Sequence, residues 1–365
     1  MTMTTETPHA DTRPRTTPRA AETRKVVVHS AGGHDRLKLE TGPIPTPGPG
    51  QVRIDVAAIG VNFADSVVRM GLYASAKEYV GWPITPGFEV AGVIGAVGAG
   101  VDDLAVGTEV FAVTRFGGYS THVVVDRSYV FRRPPTITAE QAAAIPAVYM
   151  TAWYALFELA HPRRGQTMLV HSAAGGVGGA LVQLGKLAGC TVVGVVGGSH
   201  KVASATALGA DHVIDKSKQD LWREAERIAP DGYDVILDAN GVATLGQSYK
   251  HLRRAGKLVV YGFHSMMPKV GGKPNWPKLA LDYVRTPRFN PLDMTNASHS
   301  VLAFNLSYLF DRVDLLREAM TQIEGWIAAG SVVPPPVVTY PLADVARAHA
   351  DIESGRTVGK LVLVP

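Results

Sequence analysis

The sequence predicts an α/β chain of two domains, a small, partly open β-barrel and a doubly wound parallel sheet. Short strands broken by turns fill the stretch from Lys25 to about Val130. After Thr138, strands alternate with helices, the pattern of right-handed crossovers in a parallel sheet. A glycine-rich turn at 173–179 sits between one such strand and its helix. At 365 residues the chain has length for two domains, each with its own core.

Composition narrows the class. With 46% hydrophobic and 19% charged residues, a wholly disordered chain is excluded. No stretch reads as the ~20 apolar residues of a membrane-spanning helix. A single cysteine, Cys190, can form neither an intrachain disulfide nor a thiolate zinc cluster. These readings point to a soluble protein of a reducing, cytoplasmic compartment.

Residues 1–24, rich in Thr, Pro, Ala and Arg, read as a disordered tail. They lack an apolar signal core, and Glu6, Asp11 and Glu22 argue against a transit peptide. Lys25–Val28 is the first strand and 43–50 a Pro/Gly hinge. Val52–Val56 alternates with period two, and Phe88–Val97, Glu109–Val113 and Ser120–Val125 continue the barrel pattern. A helix is expected from Ala139 past Tyr154, then a buried strand at Thr167–His171. Val177, Ala180, Leu181, Leu184, Leu187 and Ala188 recur as one helix face. Strands at Val192–Val196, His212–Ile214, Val235–Leu237 and Lys257–Tyr261 alternate with helices ending near Leu208, Ile228 and Leu252. Beyond a basic stretch, a strand at Val301–Leu306, a helix at Asp314–Ala328 and a strand at Lys360–Leu363 complete the reading.

The strongest chemical signal is Ala173-Ala174-Gly175-Gly176-Val177-Gly178-Gly179. With Ala174, Gly176 and Gly179 as fingerprint positions, it matches the dinucleotide pattern except for alanine at the first. Gly176 then lets the backbone approach a pyrophosphate, Gly179 lets helix and strand pack closely, and the helix N-terminus faces the phosphates. The next strand ends Val196-Gly197-Gly198-Ser199-His200-Lys201, without the acid that holds an NAD ribose. A 2′-phosphate would be attracted by Lys201 and hydrogen-bonded by Ser199, so NADPH is the expected cofactor. The plainer alternative makes Lys201 a solvated residue opening a helix.

Gly60-Val61-Asn62-Phe63-Ala64-Asp65, Gly71-Leu72-Tyr73, Pro86 to Gly92 and Gly117-Gly118-Tyr119 stand in an order similar to that of the medium-chain dehydrogenases/reductases. Ala173–Gly179, Leu237 to Gly241 and Gly359-Lys360 continue it. The chain resembles the zinc-independent quinone oxidoreductases, and Asn290-Pro291-Leu292 through Phe304-Asn305-Leu306 resembles the vesicle amine transport protein subgroup. The resemblance covers almost everything after the tail. It implies a GroES-like catalytic domain at 25–147 completed by 307–365, a Rossmann nucleotide domain at 148–306, and a homodimer. It also implies that Asn62, Thr151, Ala174, Gly175, Gly176, Val177, Gly178, Asn240, Gly262, Phe304, Asn305, Leu306 and Lys360 line the cofactor. Asn62 would contact the nicotinamide end. Tyr73 would be the proton donor, by similarity to enoyl reductases, unless it merely packs over the cleft. Asp65 is expected to cap the following helix rather than act as a base.

Phe88 stands where zinc-dependent relatives carry a histidine, and Glu89 alone is not a zinc site. No metal is therefore expected. Without a Lewis acid, oxidation of a simple alcohol is disfavoured, whereas a conjugated carbonyl is already polarised. The expected reaction is hydride transfer from NADPH to a quinone, enone or enoyl thioester. Lys269, Lys273, Lys278, Arg285 and Arg288 face one acid, Asp282, with Trp276, Tyr283 and Phe289 interleaved. This segment suits an anionic surface, a carrier phosphate or a solvated loop; no motif accompanies it that would read nucleic acid. A nucleotide-binding regulatory or membrane-associated interaction protein stays open as the alternative.

Overall fold

A computed structural model describes residues 22–365. The predicted tail lies largely outside the described residues, but its last three belong to the first strand, β1 (Glu22–Val27), which pairs with an unpredicted β2 (Lys38–Pro43). The chain continues as β3 (Gln51–Val61), α1 (Phe63–Arg69), α2 (Ala74–Tyr79), β4 (Glu89–Val97), β5 (Glu109–Val113), β6 (His122–Asp126) and β7 (Val130–Arg132). Next come α3 (Ala139–Ala142), α4 (Pro146–Trp153), β8 (Thr167–His171), α5 (Gly176–Leu187), β9 (Thr191–Val196), α6 (Val202–Ala207), β10 (His212–Asp215) and α7 (Leu221–Ile228). They are followed by β11 (Tyr233–Asp238), α8 (Leu245–Lys250), β12 (Leu252–Val260), α9 (Trp276–Arg285), α10 (Pro291–Ala297) and β13 (Ser300–Ala303). The chain closes with α11 (Val313–Ala328), β14 (Val337–Pro341), α12 (Val345–Glu353) and β15 (Lys360–Val364).

Two larger sheets organise these elements. The six-stranded sheet is parallel throughout in the order β10-β9-β8-β11-β12-β13. Its order reverses between β8 and β11, and in doubly wound sheets the ligand crevice opens at the carboxyl ends of the strands there. The seven-stranded sheet runs β14-β15-β3-β4-β5-β7, with β6 also on β3, so its centre joins the last strand of the chain to one of the first. Both domain types that the resemblance implies are present.

The helix expected from Ala139 past Tyr154 is interrupted. Pro146 has no amide to donate and opens a new helix, leaving a turn at 143–145 between α3 and α4. A π-helical turn at Tyr154–Ala160 follows and ends at His161 in the left-handed conformation. By length and composition 139–160 is apolar enough to cross a membrane, which corrects the expectation that no stretch comes close. Two-thirds of that window is buried, because α4 packs against α5 and α11 inside the main core. Val148, Tyr149 and Met150 lie between Leu181 and Leu184 of α5 and Met320 and Ile323 of α11.

A polar network ties the C-terminal helix to the barrel. Tyr119 donates to Asp65 at 2.9 Å and lies 3.1 Å from Nε2 of His349, whose Nδ1 is 3.3 Å from the Ser66 hydroxyl. Since the Tyr119 proton goes to Asp65, Nε2–H of a neutral His349 donates to Tyr119 and Nδ1 accepts from Ser66. Burial holds the His349 pKa well below the ordinary value, with Arg69 and His34 adding to the effect. Arg69 in turn donates to Glu353 at 2.7 Å. Leu363 of β15 is fully buried in the barrel core although it stands near the chain end. We expect Leu363→Ala to cost about 2–5 kcal/mol in denaturant unfolding; a loss near zero would mean that the terminal strand frays without consequence.

Candidate active site

The turn after β8 is shaped by close backbone approach. Ser172 takes a positive φ of 59° and its carbonyl accepts from Gly175. A Cβ on Gly178 would lie 2.1 Å from the Ser172 oxygen and 3.0 Å from Ala173 Cα. The residue that lets helix and strand meet is therefore Gly178. The sequence reading gave that role to Gly179, whose Cβ would meet the flexible end of Leu208 at 2.9 Å and the Ala173 carbonyl at an ordinary 3.7 Å. A Cβ on Gly176 would come 2.9 Å from Val148 and 3.8 Å from Lys360 Cδ, so a side chain there would fill the cradle. Gly175, Gly176, Val177 and Gly178 bring the first turn of α5, whose N–H groups lack helical carbonyl partners, to the mouth of the crevice. Ala174 is buried and accepts from Gly359 at 2.9 Å. Across the strand-order reversal, Asp238 accepts from the amides of Asn240 and Gly241, and Ser172 donates to Asn240 at 3.4 Å. A Cβ on Gly262 would lie 2.8 Å from the Ala239 carbonyl. These features fit a dinucleotide pyrophosphate.

The far end of the cradle departs from the sequence reading. Ser199 donates its hydroxyl proton to Asp215 at 2.5 Å, and Lys201 donates to the Gly355 carbonyl at 2.6 Å. The acid missing after β9 is thus supplied by the end of β10. Hydrogen bonds from Ser199 and Ser217 hold its pKa below the usual value, so Asp215 is ionised. Ser199, expected to donate to a 2′-phosphate, gives its proton to Asp215 here. A cation that the sequence rule missed offsets the acid. Cε of Lys216 lies 3.8 Å from the place a Cβ on Gly197 would occupy. Burial first, then neighbouring Lys269, lowers the Lys216 pKa; burial and Lys216 do the same to Lys201. Two mutually repelling ammonium groups beside this strand end fit a bound phosphate.

At the opposite end, Glu89 is fully buried and uses both oxygens. Oε1 accepts from Lys360 at 2.5 Å and Asn62 Nδ2 at 2.8 Å, while Oε2 accepts from the Ala147 amide at 2.7 Å in the first turn of α4. Lys360 also donates to Asn62 Oδ1, so the Asn62 amide is fixed from both sides. Gly60 makes room: a Cβ there would strike the Ala143 carbonyl at 2.2 Å and Glu89 at 2.4 Å. Asp65 accepts from the Asn62 amide at 2.7 Å, which is the helix-capping role expected, and also from Gly87 and Tyr119. Burial pushes its carboxyl up to about 7 against those donors.

Tyr73 stands over this centre. Its ring centroid is 5.7 Å from that of Phe88 and 6.4 Å from that of Phe116, and its hydroxyl donates to Asn305 at 2.8 Å. Burial raises its pKa, so the hydroxyl keeps its proton at neutral pH. Thr151 donates to the Ala147 carbonyl at 2.6 Å. Phe304 packs against Tyr154 with ring centroids 4.8 Å apart and the planes tilted by 49°, and Leu306 is half-buried against the main core. His264 packs against Phe63 with ring centroids 4.2 Å apart and the planes tilted by 49°, and burial lowers its pKa to about 4, leaving it neutral. Sequence reasoning did not single out His264, since a histidine inside a basic run carries no pattern.

Zinc does not fit here. Phe88 is packed among aromatic rings, both Glu89 oxygens are taken, and among the described residues no group of three or more His, Cys, Asp or Glu could hold a metal. Breaking a buried pair leaves an uncompensated charge, whereas removing both partners does not. Lys360→Met alone is expected to cost about 3–5 kcal/mol in thermal unfolding. The double variant Glu89→Gln/Lys360→Met should be more stable than that single variant; additive losses would contradict a mutually compensating pair.

Comparisons with known proteins agree with this geometry. Residues 48–135 match the alcohol dehydrogenase GroES-like domain, and residues 208–363 match the zinc-binding dehydrogenase family. The rat synaptic vesicle membrane protein VAT-1 homolog is 35% identical over 346 residues, covering 94% of this chain and 84% of that protein. A 2-haloacrylate reductase from a Burkholderia species is 30% identical over 93% of this chain and 98% of its own length. The crystal structure of Escherichia coli quinone oxidoreductase complexed with NADPH superposes with a TM-score of 0.81 at 28% identity, covering 94% of this chain and all of that one. With these matches beside the barrel, the parallel sheet and the glycine cradle, the chain belongs to the quinone oxidoreductase-like branch of the medium-chain dehydrogenase/reductase superfamily and resembles its VAT-1 homologues.

Proposed function

We propose that this protein is a zinc-independent, NADPH-dependent reductase of conjugated carbonyl acceptors, a quinone, an enone or an enoyl thioester. The observation that carries the reading is the Glu89–Lys360–Asn62 cluster. It engages both oxygens of Glu89, while Tyr73, whose hydroxyl keeps its proton, packs beside Phe88 and Phe116. When bound, NADPH supplies a hydride to the electrophilic carbon of the acceptor. Gly176 and the first turn of α5 hold the pyrophosphate, and Lys201 and Lys216 hold the 2′-phosphate. Asn62, locked by two partners, presents a fixed surface to the nicotinamide end, with Thr151 on the neighbouring helix turn. Fixed placement of donor and acceptor supplies much of the rate. Phe88, Phe116 and Tyr73 exclude water, and Tyr73 holds the proton that the reduced acceptor takes up.

An exposed surface supports a second, compatible reading. On α9, Trp276 is 64% and Tyr283 74% exposed, next to Arg285 and near Lys273. Such a face suits an anionic surface or carrier. Strand β13 ends the parallel sheet, an edge available for homodimer pairing.

NADPH oxidation followed with a panel of quinones, enones and 2-enoyl thioesters tests the reading; tight NADPH binding with no turnover on any acceptor would overturn it. Tyr73→Phe is expected to slow enone reduction about a hundredfold, in the range of general acid catalysis, while quinone turnover survives. Lys216→Ala should cut the NADPH-over-NADH preference roughly ten- to a hundredfold, as for loss of a charge-assisted hydrogen bond. An unchanged preference would remove Lys216 from the phosphate site.

A further inference from the structure

We propose that Asn305 is a positioning residue that aims the Tyr73 hydroxyl and, with Ser307, clasps segment 73–79 as a lid over the acceptor pocket. This rests on the reductase reading for its kinetic arm only. Tyr73 OH donates to Asn305 Oδ1 at 2.8 Å, although the two stand on opposite sides of the cleft in sequence and sheet. The same oxygen accepts from the Ser307 amide at 3.1 Å and the Ser307 hydroxyl at 2.8 Å. Asn305 is thus oriented by its own turn before Tyr73 arrives, which is what a preformed acceptor needs.

The contact is one of a series running in the same order along both segments. Ser75 and Ser307 meet hydroxyl to hydroxyl at 2.7 Å, and both are buried. Tyr79 lies 6.0 Å from Tyr308, ring to ring. At the far end, Arg115 lies over the Tyr79 ring at 4.3 Å and the Phe310 ring at 5.3 Å, and donates to Asp311 at 2.7 Å. Segment 305–311 leaves the last strand of the parallel sheet, whereas 73–79 carries Tyr73 from the barrel side. The clasp therefore joins the two units across the site. A tyrosine hydroxyl has one proton to give, and Asn305 accepts it in the closed state. An acceptor that enters must take over that hydrogen bond. Competition between acceptor and Asn305 sets both the aim of the proton and the opening of the lid.

Hydrogen–deuterium exchange on the full-length protein tests the clasp without turnover. Asn305→Ala and Ser307→Ala are each expected to speed exchange of amides in 74–80 by up to roughly tenfold, as for one lost hydrogen bond, and to leave the map outside 74–80 and the 305–308 turn unchanged. In the NADPH assay, Asn305→Ala should lower kcat/KM for an enone, and Asn305→Asp, which keeps the accepting oxygen, should restore most of it. Added to Tyr73→Phe, Asn305→Ala should cause no further loss. Wild-type exchange at 74–80 in both variants would overturn the clasp. Additive losses, or no rescue by aspartate, would overturn the positioning role. If the wild-type protein reduces no acceptor, the reductase reading fails while the exchange result still decides the lid.

Discussion

A lysine ammonium and a glutamate carboxylate, both almost wholly buried, meet where the C-terminal strand passes the start of β4. Taking two such charges out of water costs several kcal/mol each, and their attraction offsets that only if the remaining hydrogen-bonding capacity is also used. Here it is. Glu89 takes Asn62 and the Ala147 amide, and Lys360 takes Asn62. The consequence is positional. β3, β4, the start of α4 and β15 are fixed to one point, and Lys360 Cδ lies under Gly176 of the cradle. Gly60 is glycine because the carboxylate occupies the space of its side chain. The cradle and the barrel therefore share one anchor, and the nicotinamide end of the site inherits its geometry from it.

That anchor also decides what chemistry the pocket can host. A carboxylate that already accepts three hydrogen bonds, one of them from an ammonium, has its charge compensated before a second cation arrives, and the neighbouring Phe88 offers no ligand atom. On the proposed reading, the acceptor meets apolar rings and a protonated hydroxyl. Burial of Tyr73 favours its neutral form, which is the form that donates. On the proposed reading, electrophilicity must come from the acceptor itself, as in a conjugated carbonyl, and the protein contributes placement and a proton.

Much of this was legible in the sequence, for identifiable reasons. The β8–turn–α5 unit was found because strand and helix have different periods and the glycines fall between them. β4, β5 and the α11 helix announced themselves by alternation or by a helix face. Other features depend on who stands opposite. Gly178 rather than Gly179 admits the close approach only because Ser172 turns its carbonyl inward. Ser199 turns its hydroxyl to Asp215 because parallel pairing brings the end of the adjacent strand within its reach. Lys216 was overlooked because the dinucleotide rule inspects the end of one strand, and parallel pairing of β9 with β10 brings in the end of the next. The break at Pro146 was visible in principle; the apolar run around it concealed the turn. Strands β2 and β14 carry prolines and few buried side chains, so edge position hid them.

The helix α1 and the segment after it bring these strands of argument together. At its start, Asn62 is held by Glu89 and Lys360, and Asp65 holds the Asn62 amide in return. Beyond its end, Tyr73 is held by Asn305, which belongs to the parallel-sheet side. The first attachment is charged, buried and made inside the barrel, so it opens only with the barrel itself. The second is a neutral hydrogen bond flanked by a pair of serine hydroxyls, and a ligand hydroxyl or carbonyl can exchange with it at little net cost. Two anchors of unequal strength on one segment imply, on the proposed clasp, a direction of motion in which the Tyr73 end moves while the Asn62 end stays. On the proposed reading, an acceptor then enters at the Tyr73 end without disturbing Asn62.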